Sequence, residues 1–486
     1  MIDRRRVQKW IATWVGSEFE SLFAKDRTCV KRTRPGTVHS RRAKCKQDFE
    51  DLAWTKLIRN PLTRRRTSYF GKLFRNRFRV PFSMFLKIRN LFVERNWLQT
   101  KSVDCFGRPC IPFDIKLLAA LRFLGRGECF DTLAELTGDR VSANVIRKFI
   151  IDWVSKMNLL KDKWIKCPNP RVPEEIQPAM KIYDRLGFPG CIGSTDCVNI
   201  ALARCPHSLK NIHTGKDGYP TLGFNCTVNH HRKFLHVANA CPGSWNDKSK
   251  VRFDSFVNEV RDGDYKNIEF KVQSSSGVWE TVKGTYLIVD GGYHRWRILQ
   301  CPLKHSSNKK ECLHSRWLES VRKDVECAFG ILKTRFRCLK LPSRFHNLQI
   351  TEKIFVTCCI LHNMLMEDDL EQREEKLSGS FSEEEDLIHW IRNANRYRAD
   401  SVSFQFERVS RRSLDTTDMS STGETGFLGD TGEGEEEETE SGWTILHKKL
   451  VDHFYRQWIT RKLEWTGCQQ PVREDRVLQL LRNNMN

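Results

Sequence analysis

Between residues 180 and 345 the apolar residues fall in an order that few folds accommodate: three strand-like runs, a helix, a fourth strand and a long helix. FPGCIGSTDC opens the series as a Gly-bounded apolar run, and TLGFNCTVN and FLHVANACPG follow, joined by HHRK, which reads as a hairpin. SWNDKSKVRFDSFVNEV has helical spacing, with Ser244 or Asn246 near its cap, and the polar stretch 262–284 reads as an insertion or long loop. YLIVD is the next strand, and RWLESVRKDVECAFGILKTRF is a long helix with Glu326 near its middle. The expectation is an α/β fold whose mixed sheet is flanked by helices.

The flanks are of a different character. Residues 1–80 read as a basic, partly disordered arm, with RRR at 4–6 and RRAKCK at 41–46 suited to nuclear import. Within it, PLTRRRTSYFGKLFRNRFRV interleaves aromatic and basic residues, a mixture that suits phosphate contact; Phe74 and Phe78 lie at helical spacing and fit burial equally well. Residues 81–160 predict a helical domain: FDIKLLAALRFLGRG, FDTLAELTGD and SANVIRKFIIDWVSKM form three helices, with Ser142 as N-cap of the third. A short second helix, a tight turn and a longer third make a helix-turn-helix-like layout, shared by any three-helix packing unit. Arg140, Asn144, Arg147 and Lys148 are the side chains it would send toward DNA. After the α/β segment at 180–370, residues 371–442 predict an acidic, polar, largely disordered linker and 443–486 a C-terminal amphipathic helical segment, which docks on the body or binds a partner.

The net charge of +22 is unevenly placed, with 25 lysines and arginines against 8 acids in the first hundred residues. Such concentration implies a polyanionic partner, either nucleic acid or an acidic membrane surface, against the plainer reading of a solvated basic face. No apolar stretch approaches the roughly 18 residues of a membrane span; IFVTCCIL is the best and is of core length. The N-terminus lacks the apolar core of a secretory signal, so the expectation is an intracellular protein without a membrane partner. Its 18 cysteines, none in a C-x2-C pair, then read as reduced thiols. Cys29, His39 and Cys45 match no standard zinc-finger spacing, and unpaired thiols are the better reading.

The α/β segment carries carboxylates at its strand ends. Asp196 closes the first strand in GSTDC, Asp290 closes the fourth in YLIVDGG, and Glu326 lies 36 positions further on, in the long helix. Phosphoryl transfer between nucleic-acid strands uses two Mg2+ ions about 4 Å apart, and hard cations take oxygen ligands, so carboxylates must converge from separate elements. A lone Asp at a strand end is ordinarily a turn former and a lone Glu on a helix is ordinarily solvated; three in this order match an RNase H-like fold with a five-stranded mixed sheet. The glycines after Asp290 suit a sharp exit. Arg322, Glu326, Gly330 and Lys333 share one helical stripe, a metal ligand flanked by cations suited to phosphate. His294 is a weaker ligand candidate, because Mg2+ prefers oxygen.

GFPGCIGSTDC, PGSWNDKSKVRFDSF, YLIVDGGY and RKDVECAFGILKTRFRCL resemble the blocks of the PIF/Harbinger transposases, a branch of the DDE superfamily, over roughly residues 80–368. The last block is the most specific, with Arg322 four residues before Glu326, then Ala328-Phe329-Gly330 and Leu332-Lys333-x-Arg335-Phe336. The resemblance implies a catalytic and metal-binding triad of Asp196, Asp290 and Glu326 holding Mg2+, with Mn2+ as substitute. Lys333, Arg335 and Arg322 would position phosphates, and Asp247 would be an accessory group if it is not simply a helix cap. Two blocks depart from the family pattern, with VDGGY where GDSGY is usual and Cys197-Val198-Asn199 after the first Asp. The implied activity is metal-dependent cleavage at transposon ends and strand transfer into an A/T-rich target. Implied partners are terminal-repeat DNA, a Myb/SANT-like DNA-binding protein that assists nuclear entry, and a second copy of the chain. A catalytically silent DNA-binding adaptor on the same fold is the alternative, and a hydrolytic nuclease without strand transfer is a third.

Overall fold

The computed structural model describes residues 49–98, 109–138, 141–303, 306–377, 433–460 and 462–463. Residues 47–417 with 438–486 group into one compact unit; the other group, 1–46 with 418–437, lies outside the described residues apart from the start of one helix. The proposed import signals and the Cys29, His39 and Cys45 set also lie outside them.

The main sheet carries β1 (Cys191–Ala201), β2 (Thr221–Val228), β3 (Phe234–Val237), β7 (Tyr286–Ile288) and β8 (Leu299–Gln300), with the two-residue β4 (Cys241–Pro242) beside β2. Its order is β3-β2-β1-β7-β8: β1 and β3 run antiparallel to β2, while β7 is parallel to β1 and β8 to β7. The sheet is therefore mixed, as expected, with β1 as the strand where the antiparallel half meets the parallel half. The polar stretch read as an insertion folds as a separate hairpin, β5 (Glu269–Gln273) and β6 (Trp279–Lys283). Its alternation was legible, since Phe270 and Val272 are buried and the residues between them are not.

Helices precede and follow the sheet. α1 (Ala53–Arg59), α2 (Tyr69–Phe78) and α3 (Phe82–Glu94) replace the second half of the supposed arm. The rings of Phe74 and Phe78 are fully buried, so their helical spacing, and not the intervening charge, decided their environment. α4 (Phe113–Arg126), α5 (Phe130–Thr137) and α6 (Ala143–Asn158) are the three expected helices, and Ser142 does accept from Val145 N–H. α4 ends on Gly127, whose left-handed φ of 69° favours glycine. These helices form no separate core: their apolar residues join those of β1, β2 and α11 (Leu348–Leu377) in one cluster. The stacked rings of Phe224 and Phe355, 4.1 Å apart, fasten that helix to the sheet.

A second cluster covers the parallel half of the sheet. It takes in α7 (Pro173–Arg185), α8 (Asp247–Arg252), α9 (Ser255–Asp262) and α12 (Glu433–Ile459). The single helix expected over 247–260 is two, because Asp254 is fully buried and its carboxylate caps the second by accepting from Phe256 and Val257 N–H. α12 begins at Glu433, inside the stretch expected to be disordered, and its later turns dock on the body. Trp443 Nε1 donates to Leu299 O at 2.9 Å, and His447 pairs with the Gln300 side chain at 3.2 Å. The long α10 (Lys309–Arg335) serves both clusters: Leu313, Leu318 and Val321 enter the second, while Val325, Ala328, Phe329 and Leu332 enter the first. Arg322 and Glu326 sit where it passes from one to the other. Among the described residues no helix is long and apolar enough to cross a membrane.

Candidate active site

The register of β1 against β7 aligns two of the expected carboxylates. Ser194 pairs with Ile288 in parallel, so continuing the same register by two residues sets Asp196 opposite Asp290. Neighbouring strands lie about 4.8 Å apart and residues two apart share a face. Asp196 does not end its strand, as the sequence reading had it. β1 continues to Ala201 because β2 pairs with it all the way, and Asp196 sits mid-strand opposite Cys226. Asp290 does fall just beyond its ladder: Val289 N–H still donates to Gln300 O, and Asp290 accepts from Gly291 N–H at 2.7 Å.

Gly291 and Gly292 do not turn through left-handed backbone. A Cβ at Gly292 would lie 3.8 Å from a carboxylate oxygen of both Asp290 and Asp247, so the glycine leaves room between two acids. Asp247 thus lies near Asp290, and it is Asn246 that caps α8 by accepting from Ser249 N–H. The Asp247 carboxylate instead lies 3.8 Å from Lys250 Nζ. The Lys250 side chain is 3% exposed and also reaches Asn199 Oδ1 at 3.5 Å.

Glu326 joins the strand carboxylates through Arg322. The guanidinium donates to Glu326 at 2.7 Å, takes Glu319 in a two-pronged contact at 2.6 and 2.8 Å, and lies 3.6 Å from Asp196. Its side chain is 7% exposed, and Glu319 and Glu326 hold it charged. Arg322 therefore acts as an internal counter-ion and is not disposed to reach DNA, contrary to the role the sequence suggested. The spacing E-x-x-R-x-x-x-E on one helical face was the available signal for Glu319. Burial pushes the Asp196 carboxyl up to about 6; Asp247 and Glu326 add to the rise, while Cys197 N–H and Arg322 oppose it.

Behind the site lies a buried polar relay. Tyr293 N–H donates to Asp290 O at 3.2 Å, and its hydroxyl donates to Asn225 Oδ1 at 3.0 Å. Asn225 Nδ2 in turn donates to the fully buried Asp254 at 2.6 Å. The relay ties the turn carrying Asp290 to β2 and to the N-terminus of α9. Sequence reasoning missed Asn225, a lone amide inside an apolar run, and Asp254 and Lys250, which lie in mixed polar sequence.

The remaining candidates divide. Lys333 is partly buried and donates to Asn199 O at 3.2 Å, and burial lowers its pKa. Arg335 turns toward the buried His362, with 3.2 Å between Nη1 and Nδ1. Asn144, Arg147 and Lys148 are exposed on one side of α6, and the Arg147 guanidinium lies 6.0 Å from the Phe345 ring centre. Arg140 lies outside the described residues. His294 stacks on Trp296 and accepts from Arg252 at 3.1 Å. Among the described residues no three His, Cys, Asp or Glu side chains converge closely enough to hold a metal ion as they stand.

Residues 163–373 match the family described as plant transposon protein. Among curated proteins, the matching relatives include two named "Putative nuclease HARBI1". That of Rattus norvegicus is 21% identical over 235 residues, 46% of this chain and 62% of the rat protein. That of Homo sapiens is 20% identical over 282 residues, 57% of this chain and 74% of its own length. No solved structure matches. The family match takes in the whole main sheet, α10 and every carboxylate described above. Over these residues the chain is similar to Harbinger-type transposon proteins, and it spans less than two thirds of the rat relative's length.

Proposed function

We propose that the chain is a DNA transposase on an RNase H-like fold, with Asp196, Asp290 and Glu326 as its catalytic carboxylates and Asp247 as an accessory. What supports the reading is that Asp196 and Asp290 each follow the last β1–β7 pair, Ser194 with Ile288, by two residues, and that the Arg322 guanidinium contacts both Asp196 and Glu326. The first carboxylate lies on the first strand, the second follows the fourth principal strand, and the third lies on the later helix, the order expected of such a fold.

The donor set suits Mg2+ or Mn2+: it is all carboxylate oxygen, and burial, with a smaller addition from Asp247 and Glu326, raises Asp196, an anion that a divalent cation would relieve. Asp196, Asp290 and Glu326 would hold the ions, whose chemistry is to activate the attacking oxygen and stabilise the leaving one. Arg322 keeps the acids together in their absence, and Glu319 holds its guanidinium bidentately, which frees Glu326 to turn toward the ions. Lys333 and the exposed side of α6 would meet phosphates, contacts that set register without reading sequence. Terminal-repeat DNA, an A/T-rich target, a Myb/SANT-like partner, nuclear residence and at least a dimer belong to the same proposal.

One observation favours the alternative of a catalytically silent adaptor: Arg322 occupies the space where ligands would converge. The test is Mg2+-dependent cleavage and joining of terminal-repeat DNA, with and without a Myb-like partner, beside Asp290→Asn. Equal activity in the variant would sink the metal site, and no activity in either protein would favour the adaptor.

A further inference from the structure

Where the C-terminal ends of α2 and α4 meet, arginines crowd together with little to neutralise them. Arg79 caps α2 in left-handed backbone, at φ 63°, an uncommon position for a residue other than glycine. Its side chain runs across Gly125 of α4, where an added Cβ would come 2.6 Å from Arg79 Cγ. Arg122 reaches Arg77 O at 3.5 Å and Glu128 at 3.1 Å. Arg126 donates to Asn76 O and Oδ1 at 2.7 and 2.9 Å. Glu128 is the single carboxylate bonded to the group among the described residues.

The Nε atoms of Arg79, Arg122 and Arg126 are each buried without an acceptor, and no acceptor among the described residues bonds the Arg79 guanidinium at all. Burial lowers the pKa of Arg79 and Arg122, and repulsion from their arginine neighbours adds to it. Arg122 and Arg126 satisfy carbonyls in the last turn of α2, yet the cluster still holds like charges close, leaves three buried Nε donors without acceptors and strains one backbone. An anion with several acceptor oxygens would supply what is missing. The guanidinium fork suits a phosphate, which it can meet with two parallel donors.

Its placement points to which phosphate. Gly127, directly after Arg126, lies against Leu341 and Cys338 N, in the segment that follows the C-terminal end of α10. Glu326 is nine residues before that end, roughly 13 Å at 1.5 Å per residue. A duplex engaged at the carboxylates and continuing along α10 would bring its backbone toward this corner.

We propose that Arg79, Arg122 and Arg126 form a phosphate clamp that takes a backbone phosphate of the DNA duplex beyond the site of reaction. The inference rests on the DNA-transacting reading above and deepens it.

The test is fluorescence anisotropy of a labelled random-sequence duplex with the full chain across a salt series, for wild type, Arg79→Gln, Arg126→Gln and Lys283→Gln, the last an exposed lysine of the β5–β6 hairpin. Each arginine variant is expected to lower the slope of log K against log salt by about one, with a melting temperature no lower than wild type because repulsion is relieved. Lys283→Gln should keep the wild-type slope. In a parallel arm, inorganic phosphate should raise the melting temperature of wild type more than that of Arg79→Gln.

Unchanged slopes in both arginine variants overturn the clamp and leave the carboxylate site untouched. Stabilisation by inorganic phosphate with unchanged slopes would assign the cluster to the free anion and overturn its assignment to DNA. Failure of the wild type to bind any duplex would overturn the reading on which the clamp rests. A fall in affinity matched by a fall in melting temperature would show a structural role and refute the clamp; Arg79→Lys, which keeps charge but loses the fork, would then melt as wild type.

Discussion

Asp196→Asn should stabilise this protein at neutral pH. The carboxyl is raised to about 6 from an ordinary 3.8, and its side chain is 19% exposed, so solvent screens the effect only in part. A shift of about two units, at 1.36 kcal/mol each, corresponds to about 3 kcal/mol of destabilisation by the ionised form at pH 7. The sign follows from the direction. A raised carboxyl favours the fold below its unfolded value, and that advantage is lost as pH rises through 6, so the wild type carries the penalty at pH 7 and little of it at pH 4. The amide carries no charge and escapes the penalty at every pH. The gain from the substitution should therefore be up to about 3 kcal/mol at pH 7 and shrink to about 0.5 kcal/mol at pH 4. In a unit of this size that is about 3–4 °C in melting temperature at neutral pH. Urea unfolding followed by circular dichroism at the two pH values measures it, and the variant-minus-wild-type difference cancels other titrating groups. A variant no more stable than wild type at pH 7, or a gain of equal size at pH 4, would refute the electrostatic account of the site.

Other substitutions probe the framework. Arg322→Met should cost about 2–3 kcal/mol, because three acids lose their shared cation while two of them remain partly solvated; chemical denaturation reads it, and a neutral or stabilising result would show that the counter-ion role is wrong. Phe355→Ala removes the ring stacked on Phe224 and should cost about 3–5 kcal/mol, measured by urea unfolding. Burial lowers His447 and His453 to about 4, so their contribution is present above pH 6.5 and fades as pH falls toward 4. Trp443 fluorescence and hydrogen exchange should accordingly report loosening of α12 over that range, in wild type more than in a His447→Gln, His453→Gln double variant.

Much of this protein was legible before any coordinates. The period of its apolar residues marked the strands and the long helices, because a side chain that must be buried repeats every second residue on a strand and about every 3.6 on a helix. Phe74 and Phe78 went inward on that spacing despite seven basic neighbours within twenty residues. Asp196, Asp290 and Glu326 could be singled out because they fall in order on two strands and a later helix, within blocks that resemble a known family. Boundaries and breaks were harder: one expected helix became α8 and α9 because Asp254 finds better use as a buried cap than as a helical residue, and an acidic stretch read as disordered enters α12.

Tertiary structure alone decided what those acids have around them. Sequence determined that carboxylates would sit on two strands and a helix, since that depends only on local period and residue type. It could not say that Asp196 lies mid-strand, because strand length depends on how far β2 continues to pair. Nor could it tell which residue caps α8; Asn246 takes the cap, and the Asp247 carboxylate lies with that of Asp290 beside Gly292. The same holds for the cations. Arg322 read as a phosphate contact and Lys250 drew no reading, yet both side chains are buried beside acids, because α10 and α8 pack those faces against the sheet. Charge on a helix is local, whereas its partner is chosen by whichever element the helix packs upon.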